Sequence, residues 1–572
     1  MSANLKKNTG FLAAIAVLMI GGITAGVMIS KNRSDDSESG SSHLSYAEAE
    51  KQLDKKLKKI NVSNVNPRKA TIEINTGNLA EELPEIDKYK LSVQGHGSIN
   101  LEIFSSTEKS SSGTDGWLNE IAEDFNKSGY TVDGKSASVS VRPIASGAAI
   151  DYIISGKYVP ELYTPSNELW GEMVASQGVK TVMLEDRLAG NTAGILVSKD
   201  TYQKLEDKYG KVNISTIINA TIDSEIAMGY TNPYASSTGL NFLVSALEEF
   251  DSKDILSKNS TQQFQNFQKN VPFVSYTTLQ MRDAAKNGVL DAFIMEYQGY
   301  YNATELRGDY EFIPFGVRHD SPMYALGNLN SEQTEVAKAF TEFCLNAESQ
   351  KKAKQYGFNY LDDYKGEKWD LTGNQLESAQ KLWKTEKDAG SPVMAVFVAD
   401  VSGSMGGVPL ANLQQSLINA SQYINSSNYI GLVSYSSDVS VNLPIGKFDI
   451  NQRSYFTGAV QDLSASGNTC TYDAVLVGLD MIRKEQKKIE EETGQKIKPL
   501  LFVLSDGETN EGNSLNAIKP IVDGMQVPCY SICYNENLGD LERLSAINEA
   551  ACIKADSDDV VYSLKSLFNA QM

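Results

Sequence analysis

The chain has 572 residues, which is too long for one hydrophobic core and predicts two to four domains. Its net charge of −20 argues against nucleic-acid binding, because phosphate contacts need clustered lysine and arginine. The three histidines lie far apart and outside nucleophile or zinc motifs, and the five cysteines form no C-x-x-C pair, so a histidine-based hydrolase or zinc protease is not indicated.

The first predicted element is a membrane span at residues 11–30, FLAAIAVLMIGGITAGVMIS, which carries no charge. About 20 residues at a rise of about 1.5 Å reach across the roughly 30 Å hydrocarbon core of a bilayer. The alternative is a cleaved signal peptide, whose apolar region is usually shorter and precedes a small-x-small cleavage site. We expect an uncleaved, single-pass anchor in the cell membrane, with the amino terminus inside and the folded domains outside.

Residues 31–96 are predicted to be a polar linker and lead-in. The linker starts with the Ser-rich stretch KNRSDDSESGSSHLS, which has nothing to bury. The next stretch, YAEAEKQLDKKLKKI, is typical of a helix with one apolar face, formed by Tyr46, Leu53, Leu57 and Ile60. Two interpretations stay open: a lysine-bearing helix at the membrane surface, or a short helix packed on the next domain.

From residue 97 to residue 388, predicted strands and helices alternate. INLEIFSSTEK is typical of a strand that ends in a hydroxyl-rich turn, GWLNEIAEDFNKSG of the amphipathic helix after it, and SASVSVRPIAS of the next strand. This order of segments, with the phrase TNPYASSTGLN, resembles the bacterial extracellular solute-binding proteins of ABC importers. The resemblance implies an α/β module of two lobes around a cleft, which the chain crosses at a hinge.

If the resemblance holds, the cleft is built from helix amino termini, whose free N–H groups attract polar or anionic ligands. The candidate cleft residues are Ser105, Ser106, Thr107, Ser146, Gly147, Thr164, Ser166, Ser236, Ser237, Thr238, Gly239 and Tyr297. Any one of these loops is explained as well by a helix cap. The loops together favour a cleft for a polar small molecule or a peptide end. None contains a basic residue, which disfavours a strongly anionic ligand such as free phosphate.

A glycine–serine–proline break at residues 390–392 precedes the stretch VMAVFVADVSGSMGG. Its apolar run is short and rich in β-branched residues, which predicts a buried parallel strand. The run ends in Asp400, and Ser402 and Ser404 follow in an oxygen-rich loop, where open α/β sheets place their ligands. These oxygens suit Mg²⁺, Mn²⁺ or Ca²⁺. The D-x-S-x-S pattern resembles the start of the metal-ion-dependent adhesion site of the von Willebrand factor A (VWA) family.

Two further segments match this family in the same order. SASGNTCTYDAVLVGLD matches its loop-then-helix segment, which implies that Thr469 is the site threonine, although Cys470 is an unusual neighbour. PLLFVLSDGETNEG matches its second site strand, which implies that Asp506 is the second site aspartate. A lone D-x-S-x-S would be explained by a serine-capped turn, whereas three ordered matches favour a site for Mg²⁺, or for Mn²⁺ or Ca²⁺.

The resemblance implies a Rossmann-like VWA domain over residues 391–572, whose metal recruits a carboxylate from a protein partner. The elements predicted within it alternate: helix 408–425, strand 428–435, helix 452–463, helix 473–490, strand 499–505, helix 514–524, strand 526–533 and helix 538–548.

Two classes of function stay open. The first is a membrane-anchored extracellular binding or adhesion protein that recognises its partner through the VWA metal and has a second, ligand-binding cleft. The second is the substrate-binding receptor of an ABC-type transport system, with an accessory VWA docking domain. The intact metal motif favours the first. An enzyme is not expected, since no nucleophile–base pair is found and Asp400 and Asp506 are better used as metal ligands.

Overall fold

The computed structural model describes residues 44–72, 78–271, 273–275, 281, 290–388, 390–506, 509–533, 539–548, 550, 552–554, 564, 567–568 and 571–572. None of the helices within these ranges is long and apolar enough to cross a membrane. The predicted span at residues 11–30 lies outside the described residues. The predicted mixed α/β architecture is confirmed, with a two-lobed module followed by a Rossmann-like domain.

The chain up to residue 388 supplies the first twelve strands: β1 (Val62–Asn64), β2 (Ile99–Ser105), β3 (Thr131–Val132), β4 (Lys135–Pro143), β5 (Leu162–Thr164), β6 (Thr181–Glu185), β7 (Thr192–Ser198), β8 (Met228–Thr231), β9 (Phe273–Ser275), β10 (Ala292–Glu296), β11 (Tyr310–Arg318) and β12 (Met323–Leu326). Its helices are α1 (Tyr46–Leu57), α2 (Leu79–Glu82), α3 (Thr107–Ser110), α4 (Trp117–Lys127), α5 (Ser146–Ser155), α6 (Leu169–Ser176), α7 (Lys199–Tyr209), α8 (Ile214–Ile222), α9 (Ser237–Phe250), α10 (Lys258–Gln268), α11 (Tyr297–Asn302), α12 (Thr304–Arg307), α13 (Ser331–Leu345), α14 (Ala347–Gln355) and α15 (Gly373–Glu386).

Two sheets form the two lobes of the module. Lobe 1 has the described strand order β3-β4-β2-β5-β12-β6, and lobe 2 has the order β11-β7-β10-β8-β9. The chain crosses between the lobes twice, after β6 and after β11, so residues 186–191 and 319–322 form the hinge. Helix α15 packs on α6 of lobe 1 and on α9 and α10 of lobe 2, and it therefore spans both lobes.

The C-terminal domain contains β13 (Val393–Asp400), β14 (Tyr429–Tyr435), β15 (Val439–Lys447), β16 (Lys498–Ser505), β17 (Cys529–Cys533) and β18 (Cys552–Lys554), with α16 (Val408–Ala420), α17 (Ile450–Gln461), α18 (Thr471–Thr493), α19 (Leu515–Met525) and α20 (Gly539–Ala546). The strand order among its described residues is β1-β15-β14-β13-β16-β17-β18. Strand β13 lies between two parallel neighbours, and all of its side chains are buried between apolar clusters on both faces. This burial explains its continuous apolar sequence.

Strand β15 was not predicted from the sequence. It reads VSVNLPIGK and pairs antiparallel with β14, with a shift of register around Pro444. Its first half alternates as a strand does, but the Pro-Ile-Gly stretch interrupts the pattern, because proline lacks the N–H that a strand needs for pairing. A register shift accommodates the proline without ending the strand.

Residues 44–72, within the predicted linker, pack on the C-terminal domain. Strand β1 pairs in parallel with β15, with Val62 opposite Val439. Helix α1 packs on α18 and α19 with Ala49 and Leu53 fully buried. Of the two interpretations of this helix, packing on a domain is the one observed, although the domain is not the next one along the chain. The two-lobed module is thus inserted between β1 and β13.

Candidate metal centre and interlobe cleft

The candidate metal centre begins where two neighbouring strands end. Asp400 is the last residue of β13 and Ser505 the last of β16, and these strands are parallel and hydrogen-bonded to each other. Asp506 follows directly, so its side chain and the loop after Asp400 leave the sheet at one edge. The loop turns through a short helix, Gly403–Met405, before α16 begins.

Four of the predicted ligands form one hydrogen-bonded chain. The backbone N–H of Ser402 donates to Oδ1 of Asp400 at 2.8 Å. The hydroxyls of Ser402 and Ser404 lie 3.1 Å apart, and the Ser404 hydroxyl donates to Oδ1 of Asp506 at 3.0 Å. Asp400 is fully buried and Asp506 is half-buried. The structure therefore brings together residues that are up to 106 positions apart, counting from 400 to 506.

The second carboxylate oxygen of Asp400 is held by two groups that the sequence analysis did not identify. Ser505 donates its hydroxyl to Oδ2 at 2.6 Å, and the Tyr435 hydroxyl donates to the same atom at 3.3 Å. Burial and the negative charge of Asp400 raise the pKa of Tyr435, so the phenol keeps its proton for this bond. The position of Ser505 was the one indication of this contact in the sequence, because this serine directly precedes Asp506 and ends a buried strand next to the strand of Asp400.

Thr469 lies in a third loop that is fastened to the other two. Its N–H donates to Oδ1 of Asn510 at 2.9 Å, and its carbonyl accepts from the N–H of Asn510 at 3.0 Å. The N–H of Gly403 donates to the carbonyl of Gly467 at 3.0 Å, and Gly467 adopts a positive φ of 78° that favours glycine. Backbone contacts thus hold the three loops together, independently of any ion.

The chemistry of this donor set fits a small divalent ion. It combines two carboxylates with hydroxyl oxygens, which are hard ligands. Burial, together with the neighbouring Asp400 carboxylate, raises the pKa of Asp506. Within the described residues, no group of three histidine, cysteine, aspartate or glutamate side chains forms a metal cage. A metal in this domain would therefore depend on hydroxyls as well as on Asp400 and Asp506.

The two lobes of the inserted module touch through polar groups at the predicted cleft. The Ser237 hydroxyl of lobe 2 donates to the Ser146 hydroxyl of lobe 1 at 3.2 Å and accepts from the Trp170 indole at 2.8 Å. A Cβ atom added at Gly147 would overlap the carbonyl oxygen of Tyr234 across the interface. The structure therefore describes the lobes in contact, with glycine required at one point of closest approach.

The predicted cleft residues divide into two groups. Nine are buried: Ser105, Ser106, Ser146, Gly147, Thr164, Ser166, Ser237, Thr238 and Gly239. Thr107 is exposed, and Ser236 is the N-cap of α9, where its hydroxyl accepts from the N–H of Gly239 at 3.2 Å. For Ser236 the helix-cap interpretation is the one observed.

Tyr297, a predicted cleft residue, lies in an aromatic cluster. Its ring packs edge-on against Phe312, with centroids 5.1 Å apart, and lies 5.9 Å from the Tyr360 ring. The neighbouring residue, Gln298, reaches lobe 1 and donates to Oδ1 of Asp115 at 3.0 Å. Gln298 is buried, whereas Tyr297 is half-buried in an aromatic cluster.

A carboxylate at the hinge was missed by the sequence analysis. Glu296 accepts from the Asn191 side chain at 2.9 Å, from His319 Nδ1 at 2.7 Å and from the Thr238 hydroxyl at 3.4 Å. Asn191 and His319 belong to the two hinge segments, and Thr238 lies in the first turn of α9. Glu296 therefore joins both crossovers to lobe 2.

The tautomer of His319 follows from its other contacts. Its Nε2 lies 3.0 Å from the side-chain nitrogens of Asn167 and Asn241. The Asn241 oxygen accepts the N–H of Val317 at 3.0 Å, which fixes the orientation of that amide. Because Nε2 accepts, Nδ1 carries the hydrogen that is donated to Glu296. In this arrangement, the His319 imidazole is neutral and donates to the ionised Glu296 carboxylate.

A buried lysine lies beside the first predicted cleft loop. The Lys109 ammonium is fully buried and contacts the Ser106 hydroxyl, Oε1 of Glu108 at 3.3 Å and the carbonyl of Pro165 at 3.4 Å. Burial lowers the pKa of Lys109, and the Glu108 carboxylate partly offsets this effect. A basic residue therefore lies beside the predicted cleft loops although none of the loops contains one, because Lys109 is only two residues beyond Thr107.

Two family models match the chain. The model described as a bacterial extracellular solute-binding protein matches residues 110–359, and the model described as a von Willebrand factor type A domain matches residues 395–570. The chain therefore carries a solute-binding module and a VWA domain, and both belong to families of binding modules.

Individual proteins resemble parts of the chain. Inter-alpha-trypsin inhibitor heavy chain H3 of Bos taurus is 29% identical over 184 residues, which cover 29% of this chain and 20% of that protein. Iron-bound HitA from Pseudomonas aeruginosa has 14% identity and a TM-score of 0.37, covering 51% of this chain and 99% of that chain. A von Willebrand factor type A protein from Catenulispora acidiphila has 14% identity and a TM-score of 0.28, covering 32% of this chain and 43% of that chain. The chain thus spans about a fifth of the curated relative.

Proposed function

We propose that this chain is a binding protein of the cell surface that recognises a protein partner through a divalent ion in its VWA domain. The observation that carries the proposal is the hydrogen-bonded chain from Asp400 through Ser402 and Ser404 to Asp506. Thr469 is held beside this chain by its loop and would complete the set of ligands.

The chemistry of the proposed site suits recognition better than catalysis. Mg²⁺ and Mn²⁺ favour about six oxygen ligands and keep water where protein ligands are missing. Only two of the five proposed ligands are charged, so a bound ion would keep net positive character and attract an aspartate or glutamate of another protein. The ion's role would be that of an electrostatic contact for the partner's carboxylate.

The proposed location follows from the predicted membrane span at residues 11–30. Its uncharged length suits a single crossing, with the folded domains outside the cell. Amino-terminal sequencing of the protein extracted from membranes tests this part of the proposal. A mature chain that starts near residue 30 or later would contradict an uncleaved anchor.

The metal site is tested by calorimetric titration of Mg²⁺ and Mn²⁺ into the full chain and into Asp506→Asn. Asp506 is a better probe than Asp400, because among the described residues its carboxylate accepts from one side chain, that of Ser404, so the asparagine removes a charge at little structural cost. We expect metal affinity to fall at least about tenfold, which corresponds to about 1.4 kcal/mol.

The matched control is Glu492→Gln, which also removes one carboxylate from the VWA domain. Glu492 is exposed near the end of α18, roughly 30 Å from the first turn of that helix at a rise of about 1.5 Å per residue. The affinity of Glu492→Gln for metal should equal that of the wild type. Equal titration curves for wild type and Asp506→Asn, with both folded, would refute the site.

A receptor for a small solute is the second candidate function, alone or as part of an ABC-type transport system. It is favoured by the polar interface between the lobes, where hydroxyls, amides and Lys109 are buried. Native mass spectrometry of the purified chain tests it, because a ligand held between closed lobes survives purification. A chain that carries no small molecule and whose scattering profile is unchanged by a metabolite extract would contradict a receptor role.

A further inference from the structure

We propose that the interlobe cleft binds a small organic monocation through N–H donors and rejects free oxyanions. The inference rests on the proposed role of the cleft as a solute site and names the class of solute. Glu108, Lys109, Glu296 and His319 at the interface, the unpartnered polar atoms beside them and the saturation of Lys109 carry it.

The charges of these four groups do not balance. Glu108 and Glu296 contribute two negative charges, Lys109 contributes one positive charge, and the neutral His319 contributes none. Lys109 and His319 are at most 1% exposed, and the side chains of Glu108 and Glu296 are 19% and 13% exposed. A buried net charge of about −1 is costly unless an opposite charge compensates it, and a monocation would supply that charge.

Two groups that would attract an oxyanion, the first turn of α9 and the Lys109 ammonium, already contact the chain's own carboxylates. The first turn of α9 meets Glu296, which accepts from the Thr238 hydroxyl. Lys109 has three N–H donors, and all three have acceptors, in Ser106, Glu108 and Pro165. No donor of Lys109 remains for a sulfate or phosphate, and Glu108 and Glu296 would repel one.

Unpartnered atoms lie beside this cluster. Thr164 and Asn167 are fully buried, yet Thr164 Oγ1 and Asn167 Oδ1 have no hydrogen-bond partner among the described residues. The nitrogen of the same Asn167 amide faces His319 and the carbonyl of Ser237 in lobe 2, so this side chain lies between the lobes. A buried polar atom without a partner destabilises the protein, and a ligand that bonds to it in the cleft would recover that cost.

The type of unpartnered atom selects the ligand's chemistry. An amide oxygen only accepts, so Asn167 Oδ1 needs an N–H or O–H donor. Sulfate offers acceptors alone, phosphate adds an O–H donor but brings negative charge, and a quaternary ammonium without a hydroxyl offers positive charge without a donor. A protonated amine or a guanidinium offers both a donor for Asn167 and the positive charge that the two carboxylates require.

The test is calorimetry on the full chain with three monocations that carry N–H groups: ethanolamine, tyramine and methylguanidine. Tetramethylammonium is the matched probe with the same charge and neither N–H nor O–H, and sodium sulfate and sodium phosphate are the anionic probes. We expect at least one of the three to bind, tetramethylammonium to bind at least tenfold more weakly than that probe, and the anions to give no binding heat. Failure of all three, or a tetramethylammonium affinity equal to theirs, would overturn the inference.

Thr164→Val tests the position of the ligand. Valine keeps the shape and removes a hydroxyl that has no partner among the described residues, so the free variant should unfold at the same or a higher temperature than wild type. Affinity for the bound amine should fall at least fivefold. The control is Thr334→Val, since Thr334 is on α13 and bonds only its own helix, to the carbonyl of Asn330 at 2.8 Å. Unchanged amine affinity in Thr164→Val would overturn the assignment to this cleft.

The outcomes also separate this inference from the proposed solute-binding role. If sulfate or phosphate binds and Thr164→Val weakens this binding, the proposed monocation is wrong, whereas the role of the cleft as a solute site stands. A purified chain without bound small molecule, unresponsive to every probe and to a metabolite extract, would overturn both.

Discussion

At the scale of single residues, Asp400 has a structural role beside its proposed metal role. It accepts from the N–H of Ser402 and the hydroxyls of Ser505 and Tyr435, all of them buried. Asp400→Ala removes the acceptor of these three bonds, at about 1–3 kcal/mol for each donor that finds no other acceptor. We therefore expect urea unfolding to show a loss of at least about 2 kcal/mol in the VWA domain. Asp506→Asn is the comparison variant, and equal stability of the two would contradict this role.

The thiols give a second prediction at this scale. Burial raises the pKa of Cys470, Cys529 and Cys552 to about 12, and the five cysteines, all within the described residues, form no disulfide. Native protein should react slowly with Ellman's reagent at pH 8, because thiolate is the reactive form, and denatured protein should release all five thiols. Rapid reaction of several thiols in the native state would contradict their burial.

The same pKa shifts set the pH dependence of stability. Unfolded thiols ionise near pH 8.5, whereas the folded ones keep their protons to about pH 12. The stabilising contribution is therefore full below about pH 8.5 and is lost as the pH rises towards 12. Urea unfolding at pH 8 and pH 10 should show the lower free energy at pH 10.

Which site residues the sequence can predict depends on whether a local pattern marks them. Asp400, Ser402 and Ser404 form one compact motif, and the structure places them in contact with Asp506. Tyr435 lies 35 positions from Asp400 within an ordinary buried strand, so nothing local distinguishes it. The hinge residue His319 likewise acquires its partners only when two lobes meet.

At the scale of elements, the N-terminal segment is fastened to the VWA domain at a glycine. A Cβ atom added at Gly458, in the interior of α17, would overlap the carbonyl oxygen of Arg68. Alanine in a helix interior normally stabilises by about 1 kcal/mol relative to glycine. Because of the overlap, we expect Gly458→Ala to destabilise the VWA domain in thermal unfolding of the full chain. A rise in the unfolding temperature would show that residues 66–70 do not dock there.

The sequence patterns of the strands determine which of them can be predicted from the sequence. Strands β13 and β16 are continuous apolar runs buried on both faces, and such runs are recognised without knowledge of their neighbours. Strand β1 is three exposed residues, whose pairing with β15 depends on a surface far away in sequence. A strand of this kind carries no pattern of its own, so its assignment to a linker was the natural expectation.

At the scale of the whole molecule, the insertion gives the chain a defined order in space. The VWA domain holds both the first described helix and the C-terminal strands, and the solute-binding module lies between these two parts in the sequence. Lys384 of α15 donates to the carbonyl of Phe568 at 2.7 Å, so the helix that spans both lobes also contacts the VWA domain. A movement of the lobes would therefore change the hydrogen bond between Lys384 and Phe568.

The closed arrangement of the lobes can be opened by a single substitution. Gly147 is the second residue of α5 of lobe 1, and its Cβ position is filled by the carbonyl of Tyr234 and by Ala235 of lobe 2. Gly147→Ala should hold the lobes apart, because the overlap is with backbone and no side-chain rotation relieves it. We expect a larger radius of gyration in small-angle X-ray scattering and, in the proposed cleft, weaker binding of the amine probes. Gly299→Ala is the control, since a Cβ there meets only the Met295 side chain at 3.6 Å. An unchanged radius in Gly147→Ala would mean that the lobes are already apart in solution.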